Sequence, residues 1–369
     1  MLYFDYSATT FPDEKVLKEF MKATKNYRGN PNSSHSLGKK AKERIDDSIH
    51  FIANTLDLNE CEVIFTSGAT EANNLAIKGV CQANKGKHII TTKMEHSSVM
   101  APINRLCSKD YEVDFVDLNE DGTINLDHLQ SLIRPDTILV SIVGVDSELG
   151  IKQDINRISR LLKGYPNCYF HVDATQMIGK TKTDFRNVDL ISFSAHKFFG
   201  IKGIGCLIKK SGVRMVTQLD GGTSTTKYRS GTPTLELIVS LEKAMHLAYE
   251  KFDDKLEKVK ELNTDLKEFF SKYNGIKINN TEKSIDQIIN ISCENSEKLV
   301  KLLNKKEVYV STKSACSSVE ALSKTVMAVY NDKQRANNSI RISISYKTTK
   351  DEINKFKKIF DECYKKLGE

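Results

Sequence analysis

A chain of 369 residues is longer than one small core requires, so a large domain with a smaller companion is expected. The formal charge of +7 is a slight surplus of 55 basic over 48 acidic residues. The Lys-rich stretches near 251–272 and 350–366 interleave Asp and Glu at helical spacing, as solvated helix faces do, so no direct nucleic-acid binding is expected.

The chain opens with Met1-Leu-Tyr-Phe-Asp-Tyr-Ser-Ala-Thr-Thr10, which lacks the basic patch and apolar run of a signal peptide, and no run is long enough to span a bilayer. From about residue 60 to 210, short β-branched runs alternate with helical stretches, the pattern of a parallel α/β sheet. The strands read as Glu62–Thr66, His88–Thr92, Thr137–Val143, Tyr169–Asp173, Leu190–Ser194 and Ile204–Ile208, mostly apolar on both faces as buried parallel strands are. Helices between them include Ala69–Lys78 and Ile155–Leu162. Beyond Thr232, an apolar stripe of Leu235, Ile238, Leu241, Ala244, Met245 and Ala248 predicts a helix that continues into a charged one near Lys255–Lys272. Strands follow around Gln287–Ser292, Val308–Val310 and Ser339–Ser345, then an amphipathic last helix carrying Ile353, Phe356, Ile359, Phe360 and Cys363. This predicts a large domain over 15–255 and a small α+β domain built from 1–14 and 256–369. The eight cysteines are scattered, with no CxxC pair, which fits a reducing, cytoplasmic setting.

Three segments carry chemistry. In Glu62-Val-Ile-Phe-Thr-Ser-Gly-Ala-Thr-Glu71 a strand runs into a Gly-containing turn that opens a helix. Free backbone N–H groups, the helix dipole and the Thr70 hydroxyl all suit a phosphate there, although the same residues can simply cap the helix. In His171-Val-Asp-Ala-Thr-Gln176 an acid sits directly after an apolar strand, where parallel sheets gather ligands. Asp173 can bind nearby backbone or an Arg, and it is also what a pyridinium nitrogen requires if its ring is to store electrons. In Ser192-Phe-Ser-Ala-His-Lys-Phe-Phe-Gly-Ile-Lys-Gly-Ile-Gly205 a Lys ends a strand ahead of a Gly-rich turn. Most lysines are solvated surface residues, but one desolvated beside other cations becomes a Schiff-base nucleophile, and Ser194 and His196 stand ready for a phosphate.

These segments, with Asp5-Tyr-Ser-Ala-Thr-Thr10, Gly29-Asn-Pro31, Ser34-His35, Asn74-Leu-Ala-Ile-Lys-Gly79, Glu95-His96, Arg229-Ser-Gly-Thr232, Ser314-Ala-Cys316 and Ser339-Ile-Arg341, resemble the cysteine desulfurases of the class V aminotransferase family nearly end to end. The resemblance implies the fold-type I α/β architecture of pyridoxal-phosphate (PLP) enzymes, with a mostly parallel seven-stranded sheet in the large domain. It implies that Lys197 binds the cofactor covalently and that His96 stacks on its ring and assists proton transfer. Asp173 would pair with the ring nitrogen and Gln176 with the phenolic oxygen. Ala69, Thr70, Ser194 and His196 would hold the phosphate, joined by Thr232 from a second subunit of a homodimer, and Arg341 would bind the substrate carboxylate. L-cysteine would be the substrate and L-alanine the product.

Cys316 is implied to take the sulfur as a persulfide and pass it to a sulfur-acceptor protein, for iron–sulfur clusters, thio-cofactors or tRNA. Most lone cysteines are small buried hydrophobes. The stretch Lys313-Ser-Ala-Cys-Ser-Ser-Val-Glu320 instead is small and polar, and Cys316 precedes Arg341 by 25 positions, similar to the long-loop desulfurases. Lys313 stands where those relatives usually have Gly. The largest departure is Gly144-Val-Asp-Ser-Glu148, where the family typically reads His-Val-Asn-Asn-Glu. Ser147 thereby replaces an Asn that would touch both the cofactor oxygen and the substrate carboxylate. A selenocysteine or C–S lyase on the same scaffold, or a cofactor-binding homologue with reduced turnover, are the competing expectations.

Overall fold

The computed structural model describes residues 1–312 and 322–367. Among them, one seven-stranded sheet dominates, in the order Cys61–Thr66, Gly205–Lys210, Leu190–Ser194, Tyr169–Asp173, Thr137–Val143, His88–Thr91 and Glu112–Phe115. Gly205–Lys210 runs antiparallel to both its neighbours, and the other pairings are parallel. The expected mostly parallel seven-stranded architecture is therefore present.

Burial explains which strands sit at the centre. Every residue of Thr137–Val143 and of Leu190–Ser194 is buried, as required of strands covered on both faces by helices. The edge strand Glu112–Phe115 has no fully buried residue, and its Glu-Val-Asp-Phe alternation carries no apolar run. Helix Ala69–Ala83 packs on one face with Leu75, Ile77 and Val80 against Ile64, Leu139 and Leu207. Helices Ser36–Thr55 and Leu235–Tyr249 add Ile45, Ile52, Ile238 and Met245 to the core that contains Ile142 and Val172.

The predicted continuous helix after Thr232 is two helices, Leu235–Tyr249 and Phe252–Phe270. Lys251 breaks the run with φ of 48°, a left-handed backbone that a helix interior does not accommodate. A separate apolar cluster gathers Phe270, Phe356 and Phe360 with Ile289, Ile291 and Ile342 of a three-stranded antiparallel sheet. Leu2 and Phe4 belong to this cluster, because Leu2–Tyr3 pairs in parallel with Val308–Tyr309.

The chain therefore leaves that cluster at Phe4 and crosses residues 5–10 to the carboxyl edge of the large sheet. There Thr10 N–H donates to the His196 carbonyl at 2.9 Å and Phe199 N–H to the Thr10 hydroxyl at 2.7 Å. The first ten residues thus link the two packed regions across the sheet edge where Asp173, Ser194 and Lys197 emerge.

One departure from the family pattern has a packing explanation. Gly144 follows the central strand directly, and a Cβ there would lie 2.0 Å from Sδ of Met177, itself 1% exposed. Met177 fills the room that a side chain at 144 would need, so the Gly and the Met form a matched pair. Gly144→Ala is expected to lower the unfolding free energy by about 1–3 kcal/mol through overpacking. Combining it with Met177→Ala should give a loss smaller than the sum of the single losses. Urea unfolding of the four proteins checks this, and additive losses would contradict the pairing.

Candidate active site

A cavity of about 400 Å³ opens at the carboxyl ends of the central strands, where parallel sheets collect ligands. Its walls bring together Ala69, Thr70, His96, Ser147, Asp173, Gln176, Ser194, His196, Lys197 and Arg341, residues drawn from positions spread over the whole sequence. Thr232 is exposed and lies outside this wall, and Cys316 falls outside the described residues. A larger cleft of about 1150 Å³ lined by Asn119, Lys152, Arg157 and Lys283 contains none of the candidate residues.

Lys197 ends the short turn that follows Leu190–Ser194. Its Nζ donates to the carbonyl oxygens of Ser7 and Ala8, each at 2.8 Å, so the crossing segment holds the amine at the mouth of the sheet. The neighbouring His196 is tied to the same segment by Nδ1 to Thr9 Oγ1 at 3.1 Å. Burial pushes the His196 pKa down to about 4, with the charges of Lys197, Lys202 and Lys180 adding to the effect. His196 is therefore neutral at physiological pH.

Asp173 ends its strand 4% exposed, with Oδ2 accepting from Asn73 Nδ2 at 2.8 Å and Oδ1 from the Thr175 N–H at 3.0 Å. His96 caps helix Ser97–Cys107, its Nδ1 accepting from the Ser98 N–H at 3.1 Å. That bond leaves the proton on Nε2. Burial lowers the His96 pKa, the charge of Asp173 opposes this and that of Lys197 adds to it. The imidazole is a neutral ring with a defined tautomer.

Helix Ala69–Ala83 begins at Gly68 with no side-chain cap, so its first N–H groups face the cavity, where the helix dipole favours an anion. Gly68 has φ of 157° and ψ of 179°, a conformation open to glycine, and a Cβ there would lie 3.6 Å from Ser194 Oγ. Opposite, Arg341 is 2% exposed and is gripped by the Ser147 carbonyl at 2.8 Å and by Asp5 Oδ1 at 2.7 Å. Among the described residues its Nε is buried without a partner, as is Thr175 Oγ1 in the same wall. Ser147 thus meets Arg341 through its backbone, a contact its side-chain chemistry did not announce. Asp146 gives that turn its shape, accepting from the N–H groups of Glu148, Leu149 and Ile151 at 2.7–2.9 Å.

Comparisons with known proteins agree with this geometry. The family model for "Aminotransferase class-V" matches residues 2–356. The chain belongs to the class V aminotransferase family. It is 38% identical to "Cysteine desulfurase IscS" of Glaesserella parasuis over 100% of this chain and 94% of that protein. Among solved structures, a "NIFS-like protein" superposes with a TM-score of 0.92 at 32% identity, covering 99% of each chain. "SspA in complex with cysteine" superposes at 0.83 and 27% identity, covering 95% of this chain and 100% of that one.

Membership of the class V family implies PLP, and the residues present fit it. The uncapped helix end at Gly68 suits a phosphate, the buried Asp173 carboxylate suits a pyridine nitrogen, and the Lys197 amine in the same cavity suits an aldehyde. The orphaned Thr175 Oγ1 and Arg341 Nε leave buried polar atoms for ligands to satisfy.

Several contributors were given no role from the sequence: Asn73, Thr175, Asp5 and Glu95. Asn73 follows Thr70 by three positions on the same helix, a spacing that put it within reach of the same cavity. Glu95 is 3% exposed, with Oε1 accepting from the Val143 N–H at 2.7 Å and the Thr92 hydroxyl at 2.8 Å, and with Oε2 unpartnered. Burial pushes its pKa up to about 8; the two bonds oppose this, and the charges of Asp173 and Asp146 add to it. The unfolded chain ionises this group near 4.5 and the folded chain near 8, so stability should fall as pH rises through that window. Glu95→Gln is expected to flatten this fall in thermal melts taken across it, and an unchanged slope would contradict a neutral Glu95.

Proposed function

We propose that the protein is a PLP-dependent cysteine desulfurase that converts L-cysteine to L-alanine and a persulfide on Cys316. The observation that carries this is the Lys197 amine held between a buried carboxylate and an uncapped helix end, with a buried guanidinium opposite. The desulfurase relatives, and a structural neighbour described as a complex with cysteine, support the substrate.

When bound, PLP supplies an electron sink for breaking bonds at the substrate Cα. The Lys197 Nζ would bind it, and the same amine is the base placed to move the substrate Cα proton. Asp173 would keep the ring nitrogen protonated, while Ala69, Thr70, Ser194 and His196 would hold the phosphate. The Nε2–H of His96 is the proton available at the leaving sulfur. Arg341 pairs with the substrate carboxylate, using donors that Asp5 and Ser147 hold in place. In sum, the substrate Cβ–S bond breaks, a bond forms from that sulfur to the Cys316 sulfur, and Cβ gains a proton, so atoms and electrons balance without an outside oxidant.

The flanks of the segment bearing Cys316 support its role. The Ser311 and Arg341 backbones exchange two hydrogen bonds, and the Ser323 hydroxyl binds the Glu148 carboxylate. Both flanks are thereby tied to the cavity wall.

A homodimer is supported by the exposed Met21, Leu37 and Leu219, at 52%, 59% and 49%, and by Thr232, which faces outward and is free to serve a neighbouring copy's phosphate site. The seven cysteines among the described residues are all free thiols, which supports a reducing cytoplasmic setting, and no described helix is long and apolar enough to cross a membrane. An acceptor protein would then receive the persulfide sulfur.

The test is to give the cofactor-loaded protein L-cysteine with and without a thiol reductant. Alanine is expected to equal the sulfide released under reductant, and without it a reducible adduct of one sulfur should map to Cys316. Cys316→Ser should retain the visible cofactor band and lose both adduct and sulfide. Sulfide formation by Cys316→Ser at the native rate would favour a C–S lyase instead.

A further inference from the structure

Lys180 is a cation for which the activity above has no use. It follows Gln176 by one helical turn, and Gly179, with φ of 70°, lets the chain pass helix Leu235–Tyr249 where a Cβ would lie 2.7 Å from that of Ala248. The Lys180 N–H donates to Met177 O at 2.9 Å, and its carbonyl accepts from Gln287 Nε2 at 3.2 Å, fixing the turn from both sides. The side chain then runs back beneath the cavity, where its Nζ donates to Gln176 Oε1.

The surroundings are cationic. Lys197 and His196 face Lys180 from the turn after the sheet, Arg341 from the small sheet, and Lys255 from helix Phe252–Phe270. Tyr6 and Tyr346 complete the wall of a small cavity of about 30 Å³ shared by Lys180 and Lys197. No salt bridge reaches Lys180 among the described residues. The residue keeps partial exposure, yet crowding around its amine, joined by the charges of Lys197 and Arg341, pushes its pKa down to about 7. Burial beside like charges without a carboxylate disfavours the charged form of such an amine, so the purpose of its placement is not an ion pair.

The hydrogen-bond chemistry indicates that purpose. A lysine amine in its charged form can only donate, so Gln176 must present Oε1 to it. The Gln176 amide nitrogen is thereby turned the other way, where one N–H donates to the Ser7 carbonyl at 2.9 Å and the second is left for the contents of the cavity that Gln176 lines. Without Lys180 only the bond to the Ser7 carbonyl would hold that orientation, and a flip would place an acceptor where a donor is wanted.

We propose that Lys180 is a positioning residue that locks the Gln176 amide with its nitrogen toward the cofactor oxygen and places a second positive charge behind Lys197. Like charge disfavours the protonated state of a nitrogen nearby, so the pair keeps the Lys197 nitrogen readier to lose its proton. The proposal rests on the PLP site described above.

The experiment is a spectrophotometric pH titration of the cofactor's visible band in the native protein, Lys180→Met and Lys180→Arg, with cofactor affinity measured alongside. Lys180→Met should raise the titration midpoint by about one pH unit and Lys180→Arg should return it toward native. The affinity losses of Lys180→Met and Gln176→Ala should fail to add in the double variant, because both remove the same donor. A native midpoint in Lys180→Met, or strictly additive losses, overturns the proposal. Should Lys180→Met not fold, Lys180→Gln is read by the same two criteria. A native protein that shows no cofactor band overturns the site itself and this inference with it, which separates the two failures.

Discussion

The site depends on one set of contacts, the hydrogen bonds from the Lys197 amine to the carbonyl oxygens of Ser7 and Ala8. Lys197 is half-buried at the carboxyl edge of the sheet, and these two acceptors carry no full charge. A carboxylate in that place would form a salt bridge and hold the proton on the amine, whereas two carbonyls orient it and leave its basicity adjustable. The crossing segment that supplies them is itself fixed at both ends, by Leu2 and Phe4 in one apolar cluster and by Thr10 against His196 and Phe199 at the sheet edge.

The same segment reaches most of the other groups. Asp5 grips Arg341, Ser7 accepts from Gln176, and Thr9 meets His196. Six consecutive residues therefore set the spacing between the Lys197 amine, Gln176, His196 and the Arg341 guanidinium. Charge is divided with similar economy: Asp173 lines the cavity as a buried carboxylate, while Lys197 and Arg341, which line it too, are close enough to Lys180 for their charges to act on it. That division suits a ligand with a cationic ring nitrogen at one end of its aromatic system and anionic oxygens elsewhere.

The central strands were legible because burial on both faces forces near-continuous apolar runs, and Thr137–Val143, Tyr169–Asp173 and Leu190–Ser194 have the bounds their sequence predicts. Glu112–Phe115 was not legible, since an edge strand half in solvent needs no such run. The residues at strand ends were found for the same reason, as Asp173 and Lys197 interrupt apolar runs at the place where ligands gather. Contacts made by backbone or across long separations left no trace in the pattern. Nothing local links Asp5 to Arg341, which lie 336 positions apart, and the carbonyl of Ser147 could not be read from its side chain. Lys180 was hidden because a lysine after a glycine reads as a solvated turn.

The central claim is that a single amine, that of Lys197, carries the cofactor, although Lys180 and Lys202 stand close by. Borohydride reduction of the PLP-loaded protein, followed by digestion and mass spectrometry, tests this directly. The account predicts one pyridoxyl-modified peptide, containing Lys197, and its complete absence from a Lys197→Ala protein. Modification of Lys180 or Lys202 in the native protein, or a protein that takes up no reducible cofactor, would contradict it.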